Sequence, residues 1–212
     1  MRIACSAVTD PNYANLNNSQ SLDEDEWSGT AKLAFRFTDQ VMGYMSYARG
    51  YKAGGFNLDR VRSGSGAGDD PTIVPVLDTH FDKELVDSYE AGVKTQWAGN
   101  SLLLNASVFY QDYTDFQLNT FDGVQFLVTS LDQVTSKGVD LDIVWFTPLE
   151  QLNLQGGVTY ADTLIKDPAA LANPLLFSQS RENDRMSFAL KWSASMALTF
   201  DQPIGSNLKW RT

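Results

Sequence analysis

The stretch Trp27–Asn57 reads WSGTAKLAFRFTDQVMGYMSYARGYKAGGFN. Its first arm alternates. Trp27, Gly29, Ala31, Leu33, Phe35 and Phe37 fall on one face; Ser28, Thr30, Lys32, Ala34 and Arg36 fall on the other. A period of two marks a strand, because successive side chains point to opposite sides of a sheet. Thr38-Asp39-Gln40 supplies a tight polar turn. A second arm, rich in Tyr and Met, runs from Val41 to about Tyr51 and opens into Lys52-Ala53-Gly54-Gly55-Phe56-Asn57. Alone, the stretch predicts a long, twisted antiparallel hairpin with one wet face.

The same plan recurs downstream. Tyr89, Ala91, Val93, Thr95 and Trp97 alternate with Ser88, Glu90, Gly92, Lys94 and Gln96. The turn Ala98-Gly99-Asn100 suits positive φ. On the return arm Leu102, Leu104, Ala106, Val108 and Tyr110 share a face opposite Asn105, Ser107 and Gln111, and the arm extends to about Leu118. In a third hairpin Val139, Leu141, Ile143 and Trp145 oppose Gly138, Asp140 and Asp142. Its turn is Thr147-Pro148-Leu149-Glu150, and Leu152, Leu154, Val158 and Tyr160 oppose Asn153, Gln155, Gly157 and Thr159 on the way back. A fourth begins with Trp192, Ala194, Met196, Leu198 and Phe200, turns at Gln202-Pro203-Ile204-Gly205, and leads into Leu208-Lys209-Trp210.

Between hairpins lie polar stretches, expected as loops: Leu58–Lys83, Asn119–Gln133 and Asp162 to about Arg185. Short turns therefore alternate with long loops, and aromatic residues such as Trp97, Tyr110, Trp145, Tyr160 and Trp192 gather near strand ends. An apolar outward band, aromatic girdles and this asymmetry of connections mark an outer-membrane barrel. The fold class read from the pattern is all-β: an antiparallel up-and-down transmembrane β-barrel segment of about eight strands. Residues 1–26 read as a polar N-terminal loop, and residues 27–212 as barrel.

Composition narrows the function classes. Over 212 residues the chain is 43% apolar and 20% charged, with net charge -10 and a pI near 4.4. That balance excludes a nucleic-acid partner, which needs clustered Lys and Arg, and leaves no polybasic membrane patch. The single Cys5 excludes an internal disulfide. No run of about 18 apolar residues exists, but barrel strands of about 9–11 residues escape a hydropathy scan. Mean hydropathy of -0.25 fits a barrel with polar loops or a soluble sandwich.

Four elements in order carry a family resemblance: YARGYKAGGFN (Tyr47–Asn57), FDKELVDSYEAGVKTQW (Phe81–Trp97), LNASVFYQDYTDFQL (Leu104–Leu118) and TSKGVDLDIVW (Thr135–Trp145). Together they resemble the C-terminal barrel of TonB-dependent outer-membrane receptors, from Trp27 to about Phe200. The resemblance implies residence in the bacterial outer membrane and energy-coupled uptake of a nutrient such as an iron-siderophore complex. It also implies outer-membrane lipid around the barrel, a plug domain inside it, a TonB box and a TonB complex acting through the plug. The family barrel is larger than this chain, so the chain is expected to be an interior piece, with plug domain and C-terminal strands absent. Two other readings stay open: a small self-standing outer-membrane barrel serving as adhesin or structural protein, and a soluble carbohydrate-binding β-sandwich.

Catalytic chemistry finds little footing, and no enzyme activity, cofactor or metal is expected. The only histidine, His80, has no Ser or Cys partner for a triad and no cluster for a metal. Asp140 and Asp142 point inward together and are expected to pair with inward cations such as Lys94; Asp112 and Asp115 are read likewise. The run Asp23-Glu24-Asp25-Glu26 is a solvated loop or a hard-cation site. Gly54 and Gly55 precede no helix and so make no phosphate loop; they allow a bend at the barrel rim or a close ligand approach. Tyr47, Arg49, Tyr51, Gly54, Gly55, Phe56, Asn57, Tyr113 and Phe116 are the candidate ligand contacts at that rim.

Overall fold

In the computed structural model the described residues are 19–57, 62–63, 75–76, 79–121, 126–149, 151–166, 185–186, 189–204 and 208–211. Twelve strands follow in order: β1 (Gly29–Thr38), β2 (Val41–Lys52), β3 (Gly55–Phe56), β4 (Arg62–Ser63), β5 (Pro75–Val76), β6 (His80–Phe81), β7 (Glu84–Trp97), β8 (Leu102–Phe121), β9 (Phe126–Phe146), β10 (Leu152–Ile165), β11 (Trp192–Ile204) and β12 (Leu208–Arg211). Eight form one sheet in the order β1-β2-β7-β8-β9-β10-β11-β12, each paired antiparallel with the strands beside it in that order. The short pairs β3–β6 and β4–β5 lie between β2 and β7 in the chain. The expected all-β meander of about eight strands is what forms. The sheet is open, with β1 and β12 at its edges.

The short connections hold. Asp39-Gln40 joins β1 to β2, and Gln40 donates its backbone N–H to Thr38 Oγ1 at 3.2 Å. The Ala98-Gly99-Asn100 turn takes φ of 51°, 66° and 71°. Only glycine visits that region freely, so Ala98 is strained and Asn100 is the tolerated substitute. Ser101 braces the turn by donating to the Ala98 carbonyl at 2.8 Å.

Two expectations about connections are corrected. Asn119–Gln133 is not a loop. β8 runs on to Phe121 and β9 starts at Phe126, in register from Leu102↔Trp145 to Phe121↔Phe126. These strands of 20 and 21 residues exceed what spans a bilayer, so their paired ends form an arm beyond the sheet body. The turn expected at Gln202–Gly205 moves later, because β11 continues to Ile204 and pairs it with Leu208. Cys5, Asp122-Gly123, Pro168 and most of Leu58–Lys83 lie outside the described residues.

Directly paired residues share a face, so the register assigns two faces across the sheet. One carries the rows Leu33–Met45–Ala91–Val108–Val139 and Thr95–Leu104–Ile143–Gly156–Met196. It is apolar, yet Leu33, Phe35 and Met196 are 65%, 64% and 76% exposed. An apolar face this broad left open marks an interaction or membrane surface. The other face carries Lys32, Tyr44, Glu90, Lys94, Asn105, Asp140 and Asp142.

Among the described residues the buried core is small and sits where the arm leaves the sheet. Leu131, Val134 and Ile165 are its buried members, with Tyr113, Phe116, Leu118 and Met186 packed around them. Met186 comes from the chain beyond β10, so this cluster ties a long connection to the arm.

Candidate functional site

The chemically dense region lies at the end of the sheet bearing the long connections. It starts on the apolar face, where Tyr47, Tyr89 and Tyr110 form a row, with centroids 5.2 Å apart for the first pair and 6.5 Å for the second. One row lower in the register, beyond Val139, Tyr160 and Trp192 pair on the same face with centroids 4.8 Å apart. One row above the three tyrosines the register places Arg49, Asp87 and Asp112. Arg49 binds Asp87 at 3.0 Å, and the Tyr47 hydroxyl donates to the same carboxylate at 2.6 Å. Gln133 donates to both Asp112 oxygens at 2.8 and 3.1 Å. Lys191 pairs with Asp162 at 3.1 Å. An aromatic row capped by paired charges is the arrangement of a membrane–water boundary.

Above that boundary, three chain segments are latched together. Residues 19–28, which carry no strand, run beside the connection between β2 and β7. Glu24 accepts from the Gly54 backbone N–H at 3.0 Å. Glu26 pairs with Lys83 at 2.8 Å and stands 3.9 Å from Arg49. Lys83 also donates to the Asp25 carbonyl at 3.4 Å. Gln20 donates to Thr79 Oγ1 at 3.2 Å. The hydrogen bond from Lys83 holds the Glu26 carboxyl below its ordinary range, and the same bond raises Lys83. Here the acidic run, expected as a solvated loop or cation site, is a strap in which the Glu24 and Glu26 carboxylates find protein partners. Among the described residues no cluster of acids, His or Cys could hold a metal.

The Gly-rich element is built into the same latch. Phe56 pairs with His80, and Gly55 with Phe81. A Cβ on Gly54 would meet the Phe81 carbonyl at 2.6 Å, and one on Gly55 would meet the Phe81 ring at 2.8 Å. The glycines therefore serve close packing. Asn57 reaches the arm: its Nδ2 donates to the Val128 carbonyl at 3.0 Å and its Oδ1 accepts from the Val128 N–H at 2.7 Å. Gln117 ties the arm to the same connection, donating to the carbonyls of Ala53 and Asp82 at 2.9 and 3.0 Å. Glu84 accepts from the Gln117 backbone N–H at 2.8 Å.

The nine rim residues chosen from sequence thus separate into three places. Tyr47 and Arg49 lie on the apolar face, as does Tyr51, paired with Leu85. Gly54, Gly55, Phe56 and Asn57 lie in the latch. Tyr113 lies on the polar face in register with Val86 and Val134, and meets Phe116 edge-on at 5.6 Å. Sequence reasoning missed Gln20, Glu24, Lys83 and Gln117 as latch residues. Their long-range bonds leave no periodic signal.

Lower on the polar face, the Tyr44 hydroxyl donates to Glu90 at 2.5 Å, and its ring lies between Lys32 at 4.4 Å and Lys94 at 5.7 Å. The expected pairing of Lys94 with Asp142 does not form. Asn105 stands between them in the row Lys94–Asn105–Asp142, which puts them two strand spacings apart, roughly 10 Å.

The comparisons with known proteins agree with this architecture. Residues 6–212 match the model of the family described as TonB dependent receptor-like, beta-barrel. Among solved structures, the ferric yersiniabactin uptake receptor of Yersinia pestis aligns with TM-score 0.55 and 21% identity, over 84% of this chain and 23% of that one. The siderophore receptor PiuA of Acinetobacter baumannii aligns with TM-score 0.54 and 18% identity, over 82% and 23%. The ferric-catecholate import receptor of E. coli K12 aligns with TM-score 0.52 and 20% identity, over 82% and 22%. At these identities the likeness is one of fold, and the chain spans about a quarter of each receptor's length. The chain belongs to the TonB-dependent receptor-like β-barrel family, a family of outer-membrane receptors rather than of enzymes.

Proposed function

We propose that this chain forms part of the wall of a bacterial outer-membrane receptor importing a scarce nutrient such as an iron-siderophore complex. The observation that carries the reading is the broad apolar face bounded by the Tyr47–Tyr89–Tyr110 row and the Arg49–Asp87 pair above it. Such a face meets lipid, and the charged face then lines the lumen. A plug domain fills that lumen, and a TonB complex supplies the energy through it. Residues 27–212 are assigned to the barrel wall and residues 1–26 to a polar N-terminal loop. The latched segments above the boundary set the outer rim. Of the rim candidates, Tyr113 and Phe116 offer aromatic surface on the lumen side. Tyr47 and Arg49 anchor the barrel in the membrane interface, and Gly54–Asn57 hold the rim's shape.

The test uses the complete receptor in cells lacking its chromosomal copy. Uptake of a panel of radiolabelled ferric siderophores is measured with and without the proton-motive force. Uptake of at least one member that depends on both receptor and energised membrane is expected. Energy-independent leakage of all of them would overturn the transport reading. A soluble protein that partitions into buffer without detergent would overturn the membrane reading.

A further inference from the structure

The bonds of the latch join into a continuous relay. The Gln20 side-chain amide meets Thr79 twice, accepting from its backbone N–H at 3.3 Å and donating to its Oγ1 at 3.2 Å. The Thr79 carbonyl accepts from Asn57 twice, from the backbone N–H at 2.8 Å and from Nδ2 at 3.4 Å. The Asn57 amide in turn meets Val128 twice. A second relay runs beside the first. Glu24 holds the Gly54 N–H, and Gln117 holds the carbonyls of Ala53 and Asp82. Both relays start on the strap formed by residues 19–28, cross the connection between β2 and β7, and end on the β8–β9 arm.

Each of these segments has little to stand on by itself. The strap carries no strand. β3 and β6 have two residues each, far fewer than an independent strand pair needs. The arm beyond its root is a two-stranded ribbon, which is marginal alone. Thr79 and Gln117 are 7% and 9% exposed. Breaking one link therefore strands buried polar groups, which costs more than losing a bond in water.

We propose that strap, connection and arm open as one unit, so that lifting residues 19–28 releases the arm around Val128. Segments ordered by one another share one opening equilibrium, as a cooperative folding unit does. One consequence rests on reading these segments as the outer rim of a receptor: a ligand that displaces the strap frees all three segments at once.

The test is amide hydrogen exchange of the complete receptor in detergent micelles, with the unboiled gel band as the check on folding. Gln20→Ala cuts the strap end of the first relay. Several-fold faster exchange is expected at Val128 as well as at Thr79, with the Ala91 amide in the sheet body unchanged. Glu24→Ala cuts the second relay and should also accelerate Val128. Coupling is reciprocal, so Gln117→Ala on the arm should accelerate the Thr79 amide, which is bonded to the strap. Acceleration at Thr79 alone in Gln20→Ala, with Val128 unchanged, overturns the unit and leaves the transport reading standing. Equal acceleration at Ala91 also overturns it, because the three segments then open only with the whole barrel. Coupled exchange in a receptor whose uptake ignores the energised membrane overturns the transport reading alone.

Discussion

The side chain of Asn57 grips the backbone of Val128 at two points, donating to its carbonyl at 3.0 Å and accepting from its N–H at 2.7 Å. The amide thereby pairs an edge of β9 as a neighbouring strand would. A third bond, from the Asn57 N–H to the Thr79 carbonyl at 2.8 Å, fixes the residue in the connection between β2 and β7. Asn57→Ala removes both bonds to Val128 at once, together with a longer one from Nδ2 to the Thr79 carbonyl at 3.4 Å. Since each bond to Val128 contributes about 1 kcal/mol net, the pair amounts to about 2 kcal/mol, and hydrogen exchange of the Val128 amide should accelerate roughly thirtyfold, while amides in the sheet body such as Ala91 keep their protection. Unchanged exchange at Val128 would show that the arm is held without this contact.

The second prediction concerns glycine under aromatic rings. On the polar face, Tyr44 stands directly opposite Gly92 and Phe109 opposite Gly138. A Cβ on Gly92 would meet the Tyr44 ring at 2.7 Å and the Ala106 carbonyl at 2.8 Å. One on Gly138 would run into the Tyr160 carbonyl as well as the Phe109 ring. Backbone cannot yield as a side-chain tip can. Gly138→Ala should therefore destabilise by about 1–3 kcal/mol, the usual cost of overpacking. Phe109→Ala should recover only the part due to the ring. Full recovery in the double variant, followed by thermal loss of the heat-modifiable barrel band, would refute the assignment to the carbonyl.

What the sequence reveals, and what it conceals, follows from how each part is held. The sheet body was legible because one face is apolar over its whole width. Leu33, Met45, Ala91 and Val108 each sit in an alternating run, and a one-residue slip would reverse the faces. The Ala98-Gly99-Asn100 turn was legible from its residue types. The β8–β9 arm was not. Asn119, Thr129 and Ser130 are polar because no apolar face is needed beyond the boundary, and polarity reads as loop. Nor was the latch legible. Glu24 meets Gly54, and Asn57 meets Val128, across 30 and 71 residues of chain. The rim candidates were found as a neighbourhood; the face each occupies required the register.

Acid should open the latch. Glu26 is held below its ordinary value of 4.5 by Lys83, so its contribution is present above that value. It is lost as pH falls through the lowered pKa. Lys83 is raised above 10.5, so its contribution is present below that value and fades only as pH rises through the raised pKa. The latch is therefore complete across the neutral range and weakens in acid. Proteolysis of the connection between Gly54 and Lys83 should rise below about pH 4.5 in the wild type. Glu26→Gln should show raised cleavage at neutral pH and a flatter acid limb. An unchanged acid limb in that variant would assign the pH effect to other carboxylates.

The small core at the root of the arm should matter more than its size suggests. Leu131 and Val134 are 1% exposed, whereas most large apolar residues of the sheet stand open. Leu131→Ala removes side-chain volume where Tyr113, Phe116 and Met186 cannot all close in. A local cost of about 2–5 kcal/mol is expected. It should fall on the arm and on the Met186 segment rather than on the sheet. Exchange should accelerate at the upper ends of β8, β9 and β10, with no change near Leu104 or Ile143. Uniform acceleration across the sheet would instead make the cluster part of the global folding unit.

Arg49 and Tyr113 make the sharpest contrast for ligand binding. Both were rim candidates, but Arg49 shares the apolar face with Tyr47 and Met45, and its guanidinium packs on Trp27 at 5.2 Å. Its charge is answered by Asp87. Tyr113 faces the other way, in register with Val86 and Val134. In the complete receptor, Arg49→Ala should leave affinity for the transported complex within about twofold, while freeing Asp87 from its partner and hastening unfolding. Tyr113→Ala should weaken affinity by roughly tenfold, the loss of an aromatic contact of about 1–1.5 kcal/mol. Because Tyr113 also touches the small core, Tyr113→Phe is the control. It keeps the ring and should restore most of the binding. Weakened affinity in Arg49→Ala with none in Tyr113→Ala would reverse which face meets the ligand.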